Sequence, residues 1–148
     1  MRTPQAAEVV QALAARLHER GVALYVPGTV IPKSPAVPGV VFGRLPATPI
    51  LAVAINRYGT DNDITNLENP TVRVQLRWRS DGLDPLAVDE HADAAHRVLQ
   101  FTETSGPQTW PGNVRIQSCV RRIAAASEPN QNGHWERADS YELIVNPS

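Results

Sequence analysis

The chain has a single cysteine, Cys119, among its 148 residues. One thiol excludes an internal disulfide, and no Cys or His partner lies at the spacing of a zinc site. Long apolar runs are also lacking: no run approaches the roughly 20 apolar residues that span a bilayer, and the N-terminus lacks the apolar core of a signal peptide. We therefore expect a protein that is made in the cytoplasm and needs neither disulfides nor zinc.

Neither sign of charge is in excess, since the formal net charge is −1. This balance excludes a strongly basic nucleic-acid-binding domain, and a hydrophobic content of 42% is too high for wholesale disorder. Lysine is nearly missing: Lys33 is the only one among the 14 basic residues, and the rest are arginine. A chain of this length typically buries roughly 70% of its unfolded surface, so we expect one domain spanning residues 1 to 148.

Hydrophobic periodicity predicts the element order helix, strand, strand, helix, strand, strand. Helices are predicted over residues 4 to 20 and, after an N-cap at Asp84, from Pro85 to about Phe101, each with proline at its first position. Strands are predicted over residues 50–55, 71–79, 114–121 and 135–145, and a short strand at 22–26 is compatible with the sequence. We predict an α+β fold in which a mostly antiparallel four-stranded sheet carries two helices on one face.

Two further segments, residues 27–49 and 59–70, are rich in residues that interrupt helices and strands. Prolines and glycines between Pro27 and Pro49 predict a long, ordered, proline-rich loop that leaves the sheet and returns to it. The segment from Gly59 to Pro70 is polar and predicts a second loop. The strand over residues 50–55 is apolar on both faces, which is typical of a strand that is central in its sheet or covered on both sides.

Arginine alternates with apolar residues along two of the predicted strands. In the strand 71–79, apolar side chains at every second position oppose Arg73, Gln75, Arg77 and Arg79, and the strand 114–121 repeats this pattern. There Val114, Ile116, Ser118 and Val120 oppose Arg115, Gln117, Cys119 and Arg121. We expect the sheet face away from the helices to carry Arg73, Arg77, Arg79, Arg115 and Arg121.

This arginine face has two interpretations. It is either an ordinary solvated surface or a working surface. In the second case the arginines meet carboxylates of another subunit bidentately, or they line a channel for nucleic acid.

Other polar clusters give no consistent site. His91 and His96 flank Asp93, but a five-residue step turns roughly 140° around a helix, so the imidazoles do not converge. Asp61, Asn62, Asp63 and Asn66 lack the spacing of an EF-hand calcium loop. Cys119 has no base identifiable in the sequence, and no glycine-rich phosphate motif is present. We predict no catalytic, cofactor-binding or metal-binding residues, and hence no enzyme.

Four segments resemble a known family. They are VRVQLRWR at 72–79, GLDP at 82–85, VDEHADA at 88–94 and NGHWERADSYEL at 132–143. In this order they resemble tail terminator proteins, often called minor capsid proteins, of long-tailed actinobacterial phages. The similarity covers residues 5–26 and 50–146, and the proline-rich loop departs most from the family pattern.

The resemblance implies a ring, usually of six copies, that seals the polymerised tail tube and offers a docking surface to the head-completion proteins. The implied partners are other copies of the chain, the tail tube protein, a head-completion or neck protein, and genomic DNA passing through the lumen, with no membrane and no cofactor. The implied location is the tail–neck junction of the virion, after assembly in the host cytoplasm.

Two alternatives remain open at the level of sequence. The first is a head-completion or connector subunit of the same virion. The second is a small-ligand-binding or enzymatic α+β domain whose pocket is lined by Trp110, Pro111, Gly112 and Trp135. An oligomeric state measurement separates the second from the ring-forming functions.

Overall fold

The computed structural model describes residues 3–61 and 69–147. The helices are α1 (Ala6–Glu19) and α2 (Pro85–Leu99), and a 3-10 turn covers Glu103–Ser105. The strands are β1 (Gly39–Phe42), β2 (Ala52–Asp61), β3 (Thr71–Arg79), β4 (Gln108–Trp110), β5 (Val114–Ala124), β6 (Glu128–Pro129) and β7 (Trp135–Asn146). They form one sheet in the order β1-β2-β3-β7-β5-β4, and β6 pairs with β7.

The predicted fold, a mostly antiparallel four-stranded sheet in the order α-β-β-α-β-β, is wrong. The sheet has seven strands, is mixed because β1 runs parallel to β2, and curls into a half-barrel. The unpredicted strands β1, β4 and β6 have four, three and two residues, too few to show a period. The stretch 22–26 contributes only an isolated bridge between Leu24 and Gly39.

The strand predicted at residues 71–79 is confirmed with the same bounds as β3. It lies between β2 and β7 and pairs with both in antiparallel register. Val74, Leu76 and Trp78 are wholly buried in the core cluster, while the side chains between them are less buried. The period of two therefore divides the sheet into an inner face under the helices and an outer face away from them.

Both helices contribute to the core on the inner face. In α1, Val9, Leu13 and Leu17 are wholly buried, and their spacing places them on one side of the helix. In α2 the predicted start is confirmed, because the Asp84 carboxylate accepts a hydrogen bond of 3.0 Å from the Leu86 backbone N–H. None of the helices in the described ranges is long and apolar enough to cross a membrane.

The carboxylate of Asp139 on β7 is wholly buried on the inner face. It binds Arg137 bidentately, through Nε at 2.9 Å and Nη2 at 3.3 Å, and accepts from Arg121 of β5 at 3.3 Å. The two arginines also bind α2: Arg137 contacts Asp89 at 3.0 Å, and both contact Asp93, at 3.2 and 3.1 Å. This ionic cluster ties α2 to β5 and β7.

Replacing Asp139 by alanine leaves two largely buried guanidinium groups without their central partner. We expect the free energy of unfolding to fall by about 3 to 5 kcal/mol, because removing one member of a buried pair leaves charge uncompensated. The matched control is Arg122→Ala, which removes the pair between Arg122 and Glu142 at 3.1 Å, where the arginine is 58% exposed. That variant should lose less than about 1 kcal/mol. Equal losses in urea unfolding would contradict the role assigned to the cluster.

The cluster also predicts a pH dependence. Burial raises the pKa of Asp93, but the guanidinium groups of Arg121 and Arg137 outweigh burial and hold it below its ordinary value of 3.8. A carboxyl group with a depressed folded-state pKa stabilises the fold above its unfolded pKa, and this stability is lost as the pH falls through the folded-state pKa. We expect the unfolding free energy to drop more steeply below pH 3.8 in the parent than in Asp93→Asn, as measured by urea titrations between pH 7 and pH 3.

Candidate assembly surface

The outer face of the sheet carries four of the five arginines predicted there. Arg73, Arg77 and Arg79 lie on the outer side of β3, alternating with its buried residues. Arg115 lies between the buried Val114 and Ile116 of β5 and is exposed. Two strands that are separated by β7 thus supply one arginine-bearing surface.

The fifth residue, Arg121, lies on the inner face, so its predicted place was wrong. The register of β5 against β7 shifts between Ile116 and Ser118, which makes Gln117 an extra residue in a β-bulge. One extra residue reverses the side of the residues after it, here as far as the second register shift between Arg121 and Ile123. Cys119 therefore turns into the core, and Arg121 turns toward α2 to join the ionic cluster.

The exposed arginines of β3 find carboxylates on the neighbouring strand β7. Arg73 Nε lies 3.4 Å from Glu142, which also binds Arg122 at 3.1 Å. Arg77 lies 3.5 Å from Glu136. Sequence reasoning missed both glutamates, although their spacing of six residues in a strand of period two places them on one face.

Arg79 has a different role from the other arginines of the outer face. Its Nε donates to the Ile50 carbonyl at 2.8 Å, and its Nη2 donates to the carbonyls of Pro49, at 3.0 Å, and Pro46. The connection from β1 to β2 is thus held across the outer face, where Ala52 and Ala54 are buried. This confirms the prediction that the strand around residues 50–55 is covered on both sides.

Electrostatics limit what the outer face can bind. The side chains of Arg73 and Arg77 are 37% and 44% exposed, so both remain accessible beside their glutamates. Exposed pairs of this kind contribute little to stability, which leaves them free to exchange partners. Glu136 and Glu142 repel phosphate, and the face therefore suits a protein surface of mixed charge better than a polyanion. A role in an interface or a lumen stays a prediction for all five arginines.

The cysteine, histidine and carboxylate side chains considered above as possible catalytic or metal-binding groups have the following surroundings. Burial raises the pKa of the Cys119 thiol, so the nucleophilic thiolate is disfavoured. Burial lowers the pKa of His91, opposed by the charges of Asp81 and Glu90. Within residues 3–61 and 69–147, no group of three or more His, Cys, Asp or Glu side chains could hold a metal ion. Of the calcium-loop residues considered above, Asn62, Asp63 and Asn66 lie outside the described residues.

The tryptophans considered for a ligand pocket lie apart. Trp110 is buried beside Phe101, with ring centroids 6.4 Å apart. It belongs to β4, which pairs with the start of β5, and that part of β5 pairs with the last residue of β7. Trp135 is the first residue of β7, and its indole N–H donates to the Leu83 carbonyl at 3.1 Å. The two rings lie at opposite ends of the twelve-residue strand β7, so they do not line one pocket.

No protein-family model matches the chain, and no curated protein sequence matches it. The fold is similar to that of a solved chain from the "Virion of native gene transfer agent (GTA) particle". The TM-score is 0.54 at 14% sequence identity, and the alignment covers 96% of this chain and 94% of that chain. At this identity the likeness shows a shared fold, and it extends over nearly the whole length of both chains.

The contacts of Arg79 predict the effect of removing its side chain. We expect Arg79→Ala to lower the free energy of unfolding by about 1.5 to 3 kcal/mol, as for hydrogen bonds to charged groups. It should also speed hydrogen exchange of the amides of Leu45, Ala47 and Ile50, because the connection they belong to is released from the sheet. The control is Arg77→Ala, whose side chain faces the same way but binds Glu136 instead. Equal exchange in both variants would contradict the clamp.

Proposed function

We propose that the chain is a structural component of a phage-type virion, and that copies of it form a ring, six being the usual number in the family it resembles, which closes the tail tube. The ring ends polymerisation of the tube and presents the surface on which the neck of the particle docks. The chain works through contacts with other proteins and catalyses no reaction.

One observation carries the proposal: the fold is shared, over nearly the full length of both chains, with a chain of a gene transfer agent virion. The sequence segments that resemble phage tail terminators support it independently of the fold. The likeness of fold supports a virion component. Tube capping, ring closure and a position at the neck rest on the sequence resemblance.

The outer face supports a contact with protein in this setting. Arg77 and Arg115 are exposed on it from two strands, while Glu136 and Glu142 give it carboxylates as well. A surface with both signs of charge selects a partner by the pattern of its charges. We assign this face to a protein partner within the virion, and the DNA path to another part of the ring.

The decisive test adds the purified chain to the tail tube protein encoded in the same genome while the tube polymerises. We expect shorter tubes whose ends carry a ring-shaped density in electron micrographs, because a cap blocks further addition. Gold labelling of whole particles should mark the tail side of the neck. Label on the head side would identify a head-completion subunit instead, and a chain that stays monomeric and never joins a tube end would contradict the proposal.

The outer face has its own prediction. The double variant Arg77→Glu and Arg115→Glu reverses two exposed charges without touching the core, so we expect it to fold normally and to cap tubes poorly. Its capping should also depend less on salt, because charge pairs are screened. The control is Arg97→Glu, which reverses an exposed charge on α2. Capping equal to that of the parent would contradict a working role for the outer face.

A further inference from the structure

An apolar cleft lies beside the edge strand β1. It has a volume of about 490 Å³ and is lined by residues 24–32 together with Val40 and Phe42. The rings of Tyr25 and Phe42 meet edge to face, with centroids 5.7 Å apart. Three of its apolar side chains are open to solvent: Val26 is 48% exposed, Val30 91% and Phe42 47%. We call this feature the β1 cleft.

The chain segment that forms the β1 cleft carries only positive charges, although Glu8 of α1 lines a neighbouring depression together with the cleft residues Tyr25 and Pro27. Residues 21–60 include Lys33, Arg44 and Arg57 and contain no Asp or Glu. Lys33 and Arg44 are exposed and follow closely after the lining residues Pro32 and Phe42. A partner for this cleft needs an apolar protrusion with acidic side chains around it.

Such a protrusion lies elsewhere on the same chain. Leu83 and Leu86, in the turn between β3 and α2 and at the start of α2, are 71% and 64% exposed. We call them the leucine knob. Two contacts hold the knob in shape: Trp135 donates to the Leu83 carbonyl at 3.1 Å, and the Asp84 carboxylate accepts from the Leu86 N–H at 3.0 Å.

The chain segment that carries the leucine knob is acidic. Residues 80–96 contain five acidic residues and no Lys or Arg. Asp89 and Asp93 are engaged by Arg137 on the side of the sheet. The remaining acidic side chains of this segment are exposed: Asp81, Asp84 and Glu90.

We propose that the leucine knob of one copy docks into the β1 cleft of the next copy. The two patches share no residue, and they match in apolar character and oppose each other in charge. A contact between two different patches of identical chains is heterologous, and repeated with a closing rotation it generates a ring. The inference rests on the proposed function, because it names the contact that would join the copies of that ring.

Cross-linking provides the direct test. Cys119 is wholly buried, so introduced cysteines are the accessible thiols for a short bismaleimide. We expect Leu86→Cys mixed with Val30→Cys to give a cross-linked dimer, and the double variant to give a ladder that ends at the ring size. Leu86→Cys mixed with Ile123→Cys is the control, since Ile123 is 57% exposed but belongs to neither patch.

A second measurement compares variants in which only one of the two patches is altered. Variant K (Leu83→Glu, Leu86→Glu) introduces two carboxylates into the leucine knob, and variant C (Val26→Glu, Val30→Glu) introduces two into the β1 cleft. Each alone should associate at least about 30-fold more weakly than the parent, the loss typical of removed interface anchors. Mixed together they should form dimers and nothing larger, because each pair retains one intact knob and one intact cleft. Both variants change exposed side chains, and circular dichroism checks their folding.

The outcomes separate this inference from the proposed function. Tube capping by the parent with no cross-link between Leu86→Cys and Val30→Cys, or undiminished capping by variants K and C, would overturn the inference and leave the function standing. A cross-link from Val30→Cys to the tail tube or neck protein instead of a second copy would also overturn it. The specific ladder in a chain that never joins a tube end would support the knob contact and contradict the capping function.

Discussion

A buried carboxylate sets the main constraint on this fold. Asp139 is wholly shielded from water, and a charge in that position is tolerated only with opposite charges and hydrogen bonds around it. The partners come from the same strand and from β5, and the arginines in turn bind acidic residues of α2. The relative placement of β5, β7 and α2 is therefore fixed by directional contacts as well as by the apolar packing of α2 on the core.

That placement decides what the surfaces display. The ion pairs of Asp89 and Asp93 tie α2 to the inner face, and the leucines at its first turn and in the preceding loop are exposed. On the outer face, the clamp between Arg79 and the carbonyls around Pro49 spreads the chain over the start of β2. The edge strand β1 is thereby set beside an apolar cleft. Charged side chains thus hold the elements that carry two mainly apolar surfaces: the cluster around Asp139 holds α2, and Arg79 holds the connection from β1 to β2.

The sequence predicted the regular parts of the fold and failed on the irregular ones. Among the long periodic segments, the sequence predicts the strand Thr71–Arg79 with its bounds and the helix after Asp84 with its N-capping residue, whereas α1 begins at Ala6, two residues later than predicted. The short strands β1, β4 and β6 depend on long-range pairing, which leaves no local period to read. The bulge at Gln117 has the same origin, because it is defined against β7 and not by the residues of β5 themselves. For the candidate surface, alternation located four arginines correctly, but it missed their glutamate partners and placed Arg121 on the wrong side.

The bulge at Gln117 also bears on how related chains should be aligned. A strand with a bulge contains one residue more than its hydrogen-bonded neighbour can match, so a relative with a regular strand reaches the same inward positions with one residue fewer. An alignment that forbids a gap near residue 117 would pair Arg121 with an outward residue of that relative. Placing the gap there keeps Arg121, the arginine that reaches Asp139, in the column of an inward residue.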